Sequence, residues 1–137
     1  MMKKFEVNSV GPFLVTRAFT SHLKAAVVEN GAAYVVQISS YMGSIQLNNG
    51  IVAPGYYAYR ASKAALGMIN ASLAIDLKTD GIAAIVLHPG YVITDINDHT
   101  GEIDTDTSVD SMIKVIDQFS IADTGKFYSY TGAILPW

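Results

Sequence analysis

Two almost uninterrupted apolar runs limit the folds open to this chain more than any other feature. They are residues 32–38 (AAYVVQI) and residues 82–87 (IAAIVL), and each is six or seven residues long. Runs of this kind are typical of strands that are buried on both faces of a parallel sheet. Because parallel strands are joined by long crossover connections, usually helices, the runs predict an α/β fold.

The rest of the chain predicts helices and one more strand around these runs. Apolar periodicity favours helices over residues 5–28, 57–77 and 108–119, and residues 125–130 predict a last strand. Ser108 is the predicted N-cap of the third helix. Residues 43–55 and 91–107, rich in Asn and Gly or in Asp and Thr, predict loops. The order αβαβαβ is that of the C-terminal half of a doubly wound, Rossmann-like parallel sheet with flanking helices, and 137 residues suit a single domain.

Composition argues against several classes of function. The net charge is −3 and the 9 Lys and Arg residues are scattered, which is not typical of a nucleic-acid surface. The sequence contains no run of 18 apolar residues and no secretory signal after Met1, so we expect neither a membrane span nor secretion. The absence of cysteine agrees with a cytoplasmic location. His22, His88 and His99 lack metal-ligand spacing, so no metal site is expected.

The segment YRASK, residues 59–63, carries the strongest chemical signal. Tyr59 and Lys63 are four residues apart on a predicted helix and therefore share one face. An unperturbed phenol has a pKa of about 10, too high for easy proton exchange near neutral pH. The Lys63 ammonium is expected to lower the pKa of Tyr59. Tyr56 and Tyr57 compete for this role, but the residues four positions after them are an arginine and an alanine.

The motifs around this pair form a recognisable series. In chain order they are Asn8, Ser40-x-x-Gly43, Tyr59-x-x-x-Lys63 and Pro89-Gly90-x-Val92-x-Thr94. This order resembles the catalytic half of the short-chain dehydrogenase/reductase family. The stretches SSYMGSI (39–45), YAYRASK (57–63), LHPG (87–90) and LPW (135–137) resemble most the C-factor-like and sniffer-like carbonyl reductases of that family.

The resemblance implies an NAD(P)-dependent oxidoreductase that reduces a carbonyl or oxidises an alcohol. Tyr59 would exchange the proton, and Lys63 would favour the phenolate and also bind the nicotinamide ribose. Ser40 would donate a hydrogen bond to the substrate oxygen. Ser39 is its rival, and Ser40 is preferred because the family places its serine three residues before a glycine. Asn8 would hold a water molecule that relays protons to the lysine.

The resemblance also assigns residues to the cofactor and the substrate. The segment that holds the nicotinamide amide and then a phosphate would be formed by Pro89, Gly90, Val92 and Thr94. Candidates for the wall of the substrate site are Met42, Tyr91 and Ile93, although core packing explains each of these equally well. The substrate would be a small carbonyl compound or alcohol.

One element of the family is missing from the sequence. None of the 11 glycines forms the glycine-rich turn that receives the dinucleotide pyrophosphate. Asn48-Asn49-Gly50 follows Ser40 and is interpreted as a loop tip. We therefore expect a truncated member, and NAD versus NADP stays open because the residue that reads the ribose 2′ position belongs to the absent half. The alternative is a non-catalytic remnant that acts as a structural or interaction protein.

The two long helices also predict association. The helix over residues 57–77 is apolar nearly all round, so one side faces the sheet and the other needs a partner. Relatives pair through this helix and the one corresponding to residues 5–28. The resemblance therefore implies a homodimer formed through these two helices.

Overall fold

The computed structural model describes residues 1–49 and 55–137 and has the predicted α/β architecture. Its helices are α1 (Met2–Phe5), α2 (Gly11–Asn30), α3 (Tyr57–Asp76) and α4 (Thr105–Ile116). Its strands are β1 (Ala33–Ile38), β2 (Ile82–His88) and β3 (Phe127–Ser129). Short 3-10 turns cover Tyr41–Gly43, Lys78–Asp80, Asp95–Asn97 and Ile121–Asp123.

The described strands form one parallel sheet in the order β1-β2-β3. The β1–β2 register runs from Ala33 opposite Ile82 to Ile38 opposite Leu87. Every residue of the central strand β2 is buried, as its unbroken apolar run predicted. Within the described residues β1 has a strand neighbour on one side only.

The core lies between the sheet and the helices α2 and α3. Its buried members are Ala33, Leu73, Ala74, Leu77, Ile82 and Ala84, and side chains of α2 pack against them. Each fully buried leucine contributes about 1.5–3 kcal/mol relative to an exposed one. Asn70 is also fully buried on α3, and its Nδ2 donates to the carbonyl oxygen of Ala84 in β2 at 3.1 Å. This contact fixes α3 against the strand that leads to the site.

The first predicted helix is interrupted by a π-helical turn. The turn covers Glu6–Val10 and joins α1 to α2, so the helical segment extends beyond the predicted residues 5–28 at both ends. Gly31, at φ +82°, ends α2, a left-handed conformation that glycine adopts without strain. Single π turns inside α-helices are often found at functional sites.

The predicted start of the last helix is wrong. The cap of α4 is Asp104, whose carboxylate accepts from the backbone N–H of Thr107 at 2.7 Å. Ser108 lies inside the helix, is buried, and donates to the carbonyl oxygen of Pro89 at 2.6 Å. Asp104 offers a charged acceptor to the exposed N–H groups, and this outweighs the weaker cap that a serine four residues later would provide.

The predicted loops are partly ordered. The loop predicted over residues 43–55 begins at the end of the Tyr41–Gly43 turn and is described as far as Asn49. Its residues 50–54 lie outside the described part of the chain. In the loop predicted over residues 91–107, Val92 and Ile103 form a parallel bridge. No helix in the described residues combines the length and apolarity that a membrane span needs.

Candidate active site

The site lies at the carboxyl edge of the parallel sheet. The backbone N–H of Ser39 donates to the carbonyl oxygen of Leu87 at 2.8 Å, which carries the β1–β2 pairing one residue past the end of β1. The chain therefore leaves both strands at the same edge, with Ser40 after one and Pro89 after the other. In open parallel sheets this edge is where ligands bind.

Ser40 is held by the turn that follows it. Its side chain is buried, and its Oγ accepts from the backbone N–H of Met42 at 3.2 Å, which caps the Tyr41–Gly43 turn. Because the oxygen serves as acceptor in this contact, the hydroxyl proton remains available for donation. Ser39, the rival in the sequence, is buried too.

Gly43 brings this turn into contact with α3. A Cβ placed on Gly43 would lie 2.8 Å from the carbonyl carbon of Lys63 and 2.9 Å from its Cβ. Both distances are below van der Waals contact, so only glycine allows the approach. The spacing Ser40-x-x-Gly43 thus places the serine beside the helix that carries Tyr59 and Lys63.

The phenol of Tyr59 is half-buried, and its pKa is raised above the ordinary value of 10.0. The largest cause is burial, which disfavours the phenolate. A side-chain hydrogen bond with Ser40 lowers the pKa in part, and electrostatic repulsion from Tyr41 raises it. The expected lowering by Lys63 does not appear among these causes. This expectation is corrected: in this structure burial decides the direction.

Lys63 is oriented toward the sheet edge. Its Nζ donates to the carbonyl oxygen of Ile38 at 2.9 Å and lies 5.9 Å from the centroid of the Tyr59 ring. Burial lowers the pKa of this ammonium. One of its three donors is used by Ile38, so two remain for other acceptors in the site.

Asn8 lies in the π-helical turn and reaches the same helix. Its Nδ2 donates to Ser62 Oγ at 3.0 Å, and Ser62 Oγ donates to the carbonyl oxygen of Tyr59 at 2.8 Å. The hydroxyl of Ser9 donates to the carbonyl oxygen of Ser62 at 2.8 Å. The turn is thereby fastened to α3 at the residue that precedes Lys63.

The segment after β2 is held in place by its own hydrogen bonds. Gly90 has φ +94°, and a Cβ there would lie 2.7 Å from Ile103 Cδ1. The backbone N–H of Thr94 donates to Asn97 Oδ1 at 3.1 Å, and the Thr94 side chain caps the Asp95–Asn97 turn. Pro89 and Val92 are half-buried. These residues follow β2 at the edge where Ser40 follows β1.

The three predicted substrate-wall residues differ in their surroundings. Met42 is half-buried in the turn after Ser40. Tyr91 and Ile93 are exposed by 41% and 40%, so the core does not account for either side chain. The hydroxyl of Tyr91 lies 2.7 Å from Thr100 Oγ1.

Sequence reasoning missed four residues that support the site. Ser9 and Ser62 join the π-helical turn to α3, and Tyr41 contacts His88 edge to face with ring centroids 4.8 Å apart. Burial lowers the pKa of His88 to about 4, so the imidazole is neutral near pH 7. A serine within an apolar helix was the one available signal for Ser62, because a buried hydroxyl needs partners.

A nicotinamide cofactor fits the residues at this edge, although only in part. Lys63 has two donors to spare, and the backbone after β2 turns at Gly90, which has φ +94°. The sequence offers no glycine-rich turn for the pyrophosphate. Among the described residues no group of three or more His, Asp or Glu side chains is placed to hold a metal ion.

Comparison with known proteins agrees with this geometry. The family model described as short chain dehydrogenase matches residues 1–104. The chain is 36% identical to C-signal of Myxococcus xanthus, covering 100% of this chain and 78% of that protein. It is 33% identical to the 1-hydroxy-2-glutathionyl-2-methyl-3-butene dehydrogenase of Rhodococcus sp. (strain AD45), covering 98% of this chain and 58% of that one.

Two solved structures that superpose closely on the chain are carbonyl reductases. The carbonyl reductase Sniffer of D. melanogaster superposes with a TM-score of 0.92 at 32% identity, over 100% of this chain and 57% of that chain. The NADPH-bound carbonyl reductase from chicken fatty liver superposes with a TM-score of 0.88 at 32% identity, over 100% of this chain and 58% of that chain. The chain thus spans somewhat more than half the length of these two enzymes.

Proposed function

The chain belongs to the short-chain dehydrogenase/reductase family, and from this we propose that it forms the catalytic part of an NAD(P)-dependent carbonyl reductase. The reaction is the reduction of a small carbonyl compound or, in reverse, the oxidation of an alcohol. The observation that carries the proposal is the packing of the turn after Ser40 against Lys63, whose Nζ lies 5.9 Å from the centroid of the Tyr59 ring. The carbonyl reductases among the similar structures support the choice of reaction.

Tyr59 is the proton donor for reduction. Burial raises its pKa, so the phenol carries its proton at neutral pH, and the hydrogen bond with Ser40, which lowers that pKa, favours release of the proton. Ser40, whose oxygen already accepts from the backbone N–H of Met42, donates a hydrogen bond to the substrate oxygen and stabilises the negative charge that develops there. Asn8 stabilises the position of α3 through Ser62, and in our proposal it holds the water molecule that relays protons to Lys63.

The nicotinamide cofactor supplies the hydride when it is bound. Tyr59 and Lys63 bind its ribose, and Lys63 does so with the two donors that Ile38 leaves free. The segment after β2 receives the nicotinamide and the nearest phosphate, and its residues are Pro89, Gly90, Val92 and Thr94. The choice between NAD and NADP is made outside these residues.

The substrate lies against the side chains around Ser40. Tyr91 and Ile93 are exposed at the edge where β2 ends, and Met42 follows Ser40. These three residues form the wall of the substrate site in our proposal. Their apolar character favours a substrate with an apolar group next to the carbonyl.

The test is NADPH-dependent reduction of a panel of aldehydes and ketones. It is carried out with the 137-residue chain and with a fusion protein that adds the part of the D. melanogaster carbonyl reductase that the chain does not match. We expect turnover by the fusion protein. If neither protein oxidises NADPH with any carbonyl while both are folded, the chain is better explained as a non-catalytic interaction protein.

We also propose that the protein forms a homodimer through the helices over residues 5–28 and 57–77. Large apolar side chains are exposed on both helices: Val15 by 59%, Phe19 by 56%, Met68 by 69% and Ile75 by 77%. Exposed apolar side chains on a helix face are typical of an interface between proteins. A second copy of the chain offers the same surface.

A further inference from the structure

Three residues on one face of α3 are spaced by one helical turn each. They are Tyr59, Lys63 and Gly67, and a spacing of four residues places them above one another. The first two belong to the candidate active site. Gly67 has no side chain and is buried, so another part of the molecule covers the helix at that point.

The residue that covers Gly67 is Trp137. A Cβ added to Gly67 would lie 2.8 Å from Trp137 Cζ3 and 3.2 Å from Cε3, so the indole ring rests directly on the helix backbone. On its other side the ring stacks on Phe127, with centroids 5.3 Å apart and planes 28° from parallel. Phe127 is almost fully buried in β3, which makes it a rigid support.

The backbone of Trp137 reaches the loop that follows the candidate catalytic serine. Its carbonyl oxygen accepts from the N–H of Gln46 at 3.0 Å. Gln46 belongs to a turn in which the N–H of Leu47 donates to Ser44 Oγ at 3.1 Å. The contact therefore holds a structured turn and not a loose chain.

Trp137 thus completes a closed set of contacts around the site. At one end Gly43 lies against the backbone of Lys63, and at the other end Trp137 lies on Gly67, one turn further along the same helix. The loop between these points is fixed twice to one helix face. Elsewhere the Arg60 side chain donates to Asn48 Oδ1 at 2.6 Å and adds a third attachment.

We propose that Trp137 is a positioning residue for this site. It holds the loop over residues 40–49 against α3, and so fixes Ser40 relative to the Tyr59 phenol. Its ring does so through Gly67 and its carbonyl through Gln46. The catalytic consequence rests on the proposed function, whereas the effect on the loop does not.

Two variants test the proposal from opposite sides of one contact. Gly67→Ala introduces a methyl group under the ring and leaves Trp137 itself unchanged. Trp137→Leu removes the ring and keeps the backbone carbonyl. Because alanine is favoured over glycine in a helix, Gly67→Ala is stabilising or neutral if the ring contact is unimportant. Val27→Ala, a loss of core volume far from the loop, is the matched control for lowered stability.

The first measurement is amide hydrogen exchange by NMR on the 137-residue chain without cofactor. We expect both variants to lower protection at Gln46, Leu47 and Gly43 by roughly fivefold or more, the factor that corresponds to one net hydrogen bond. In Gly67→Ala, the fluorescence of Trp137, the single tryptophan, reports directly whether the ring has moved. The 13C resonance of the Tyr59 ring is expected to shift in both variants and to stay unchanged in Val27→Ala.

These results decide the proposal whether or not the chain is an enzyme. The proposal would be overturned if the two variants changed the loop protection and the Tyr59 resonance no more than Val27→Ala does. In the fusion protein we expect kcat to fall by roughly 10–100-fold in both variants, since small displacements of reacting groups have effects of this size. An unchanged kcat in an active fusion protein, together with a loosened loop, would also overturn the positioning role. If Gly67→Ala does not fold, Trp137→Phe replaces it as the second variant.

Discussion

The backbone of Gly43 lies in direct contact with the backbone of Lys63. A Cβ on Gly43 would approach three atoms of α3, the carbonyl carbon and Cβ of Lys63 and the nitrogen of Ala64, at 2.8, 2.9 and 3.1 Å. The contact brings the turn after Ser40 onto the helix that carries Tyr59. It also gives a steric reason for a glycine three residues after the serine.

The first prediction concerns this contact. We expect Gly43→Ala to lower the free energy of unfolding by about 1–3 kcal/mol, because the new methyl group meets backbone atoms that have little room to move. Urea unfolding followed by circular dichroism measures the change. Ile45→Ala is the control in the same loop, since Ile45 is 80% exposed and its loss is expected to change stability by less than about 0.5 kcal/mol.

A stability as high in Gly43→Ala as in the parent chain would show that the loop can retreat from α3 without cost. The contact would then not position Ser40.

The second prediction concerns the buried imidazole of His88. Burial lowers its pKa from 6.5 to about 4, and within the described residues its Nδ1 has no hydrogen-bond partner. The folded state therefore resists protonation. Its contribution to stability is fully present above pH 6.5 and is lost as the pH falls through 4, a change of roughly 3 kcal/mol.

Urea unfolding at several pH values between 7 and 3 measures this dependence. His88→Asn is expected to flatten the curve between pH 6.5 and 4 relative to the parent chain. Hydrogen bonds from Thr107 and Lys126 lower the pKa values of Asp104 and Asp123. The contribution of these two carboxylates to the stability of the fold is therefore lost only below pH 3.8. An equally steep curve in His88→Asn would assign the loss to another group.

Much of the fold was predictable because its signals are local. The apolar runs of β1 and β2 and the apolar faces of α2 and α3 gave the parallel sheet and its crossover helices. The start of α4 was not predictable with certainty, since Asp104 and Ser108 both suit a cap. Asp104 is the cap, and the Ser108 hydroxyl instead donates to the carbonyl oxygen of Pro89, a contact with a distant part of the chain that no local pattern reports.

The candidate site was predictable in its residues and less so in its chemistry. The motif spacing indicated Ser40, Tyr59 and Lys63, and the structure brings them to one sheet edge. The direction in which the pKa of Tyr59 is shifted depends on how deeply the phenol is buried, which is a tertiary property that no local sequence pattern reports. The contact of Trp137 with Gly67 likewise joins residues that are distant in the chain, so no spacing in the sequence predicts it.

The third prediction concerns association. We expect Phe19→Glu and Met68→Glu to lower the mass measured by light scattering from dimer to monomer, because each places a charge on an apolar surface that a second copy covers. Ile96→Glu, at a position 84% exposed and outside both helices, is the control. A parent chain that is a monomer at low micromolar concentration would contradict the proposed homodimer.

The fourth prediction concerns the cofactor. We expect the 137-residue chain to bind NADPH weakly, since its sequence contains no glycine-rich turn to receive the pyrophosphate. The fusion protein is expected to bind it more tightly. Calorimetric titration of both proteins with NADPH makes the comparison, and micromolar binding by the chain alone would show that the pyrophosphate has another site.

The most direct test of the account is the rate of carbonyl reduction after loss of one hydroxyl group. The measurement is kcat/KM for an accepted carbonyl substrate with NADPH at pH 7 in the fusion protein. We expect Tyr59→Phe to lower it by roughly 10²–10⁴-fold, the usual contribution of a general acid, with the circular dichroism spectrum unchanged. Tyr57→Phe, on the same helix and 80% exposed, is expected to retain the parent activity. Activity of Tyr59→Phe within a few-fold of the parent would show that Tyr59 is not the proton donor.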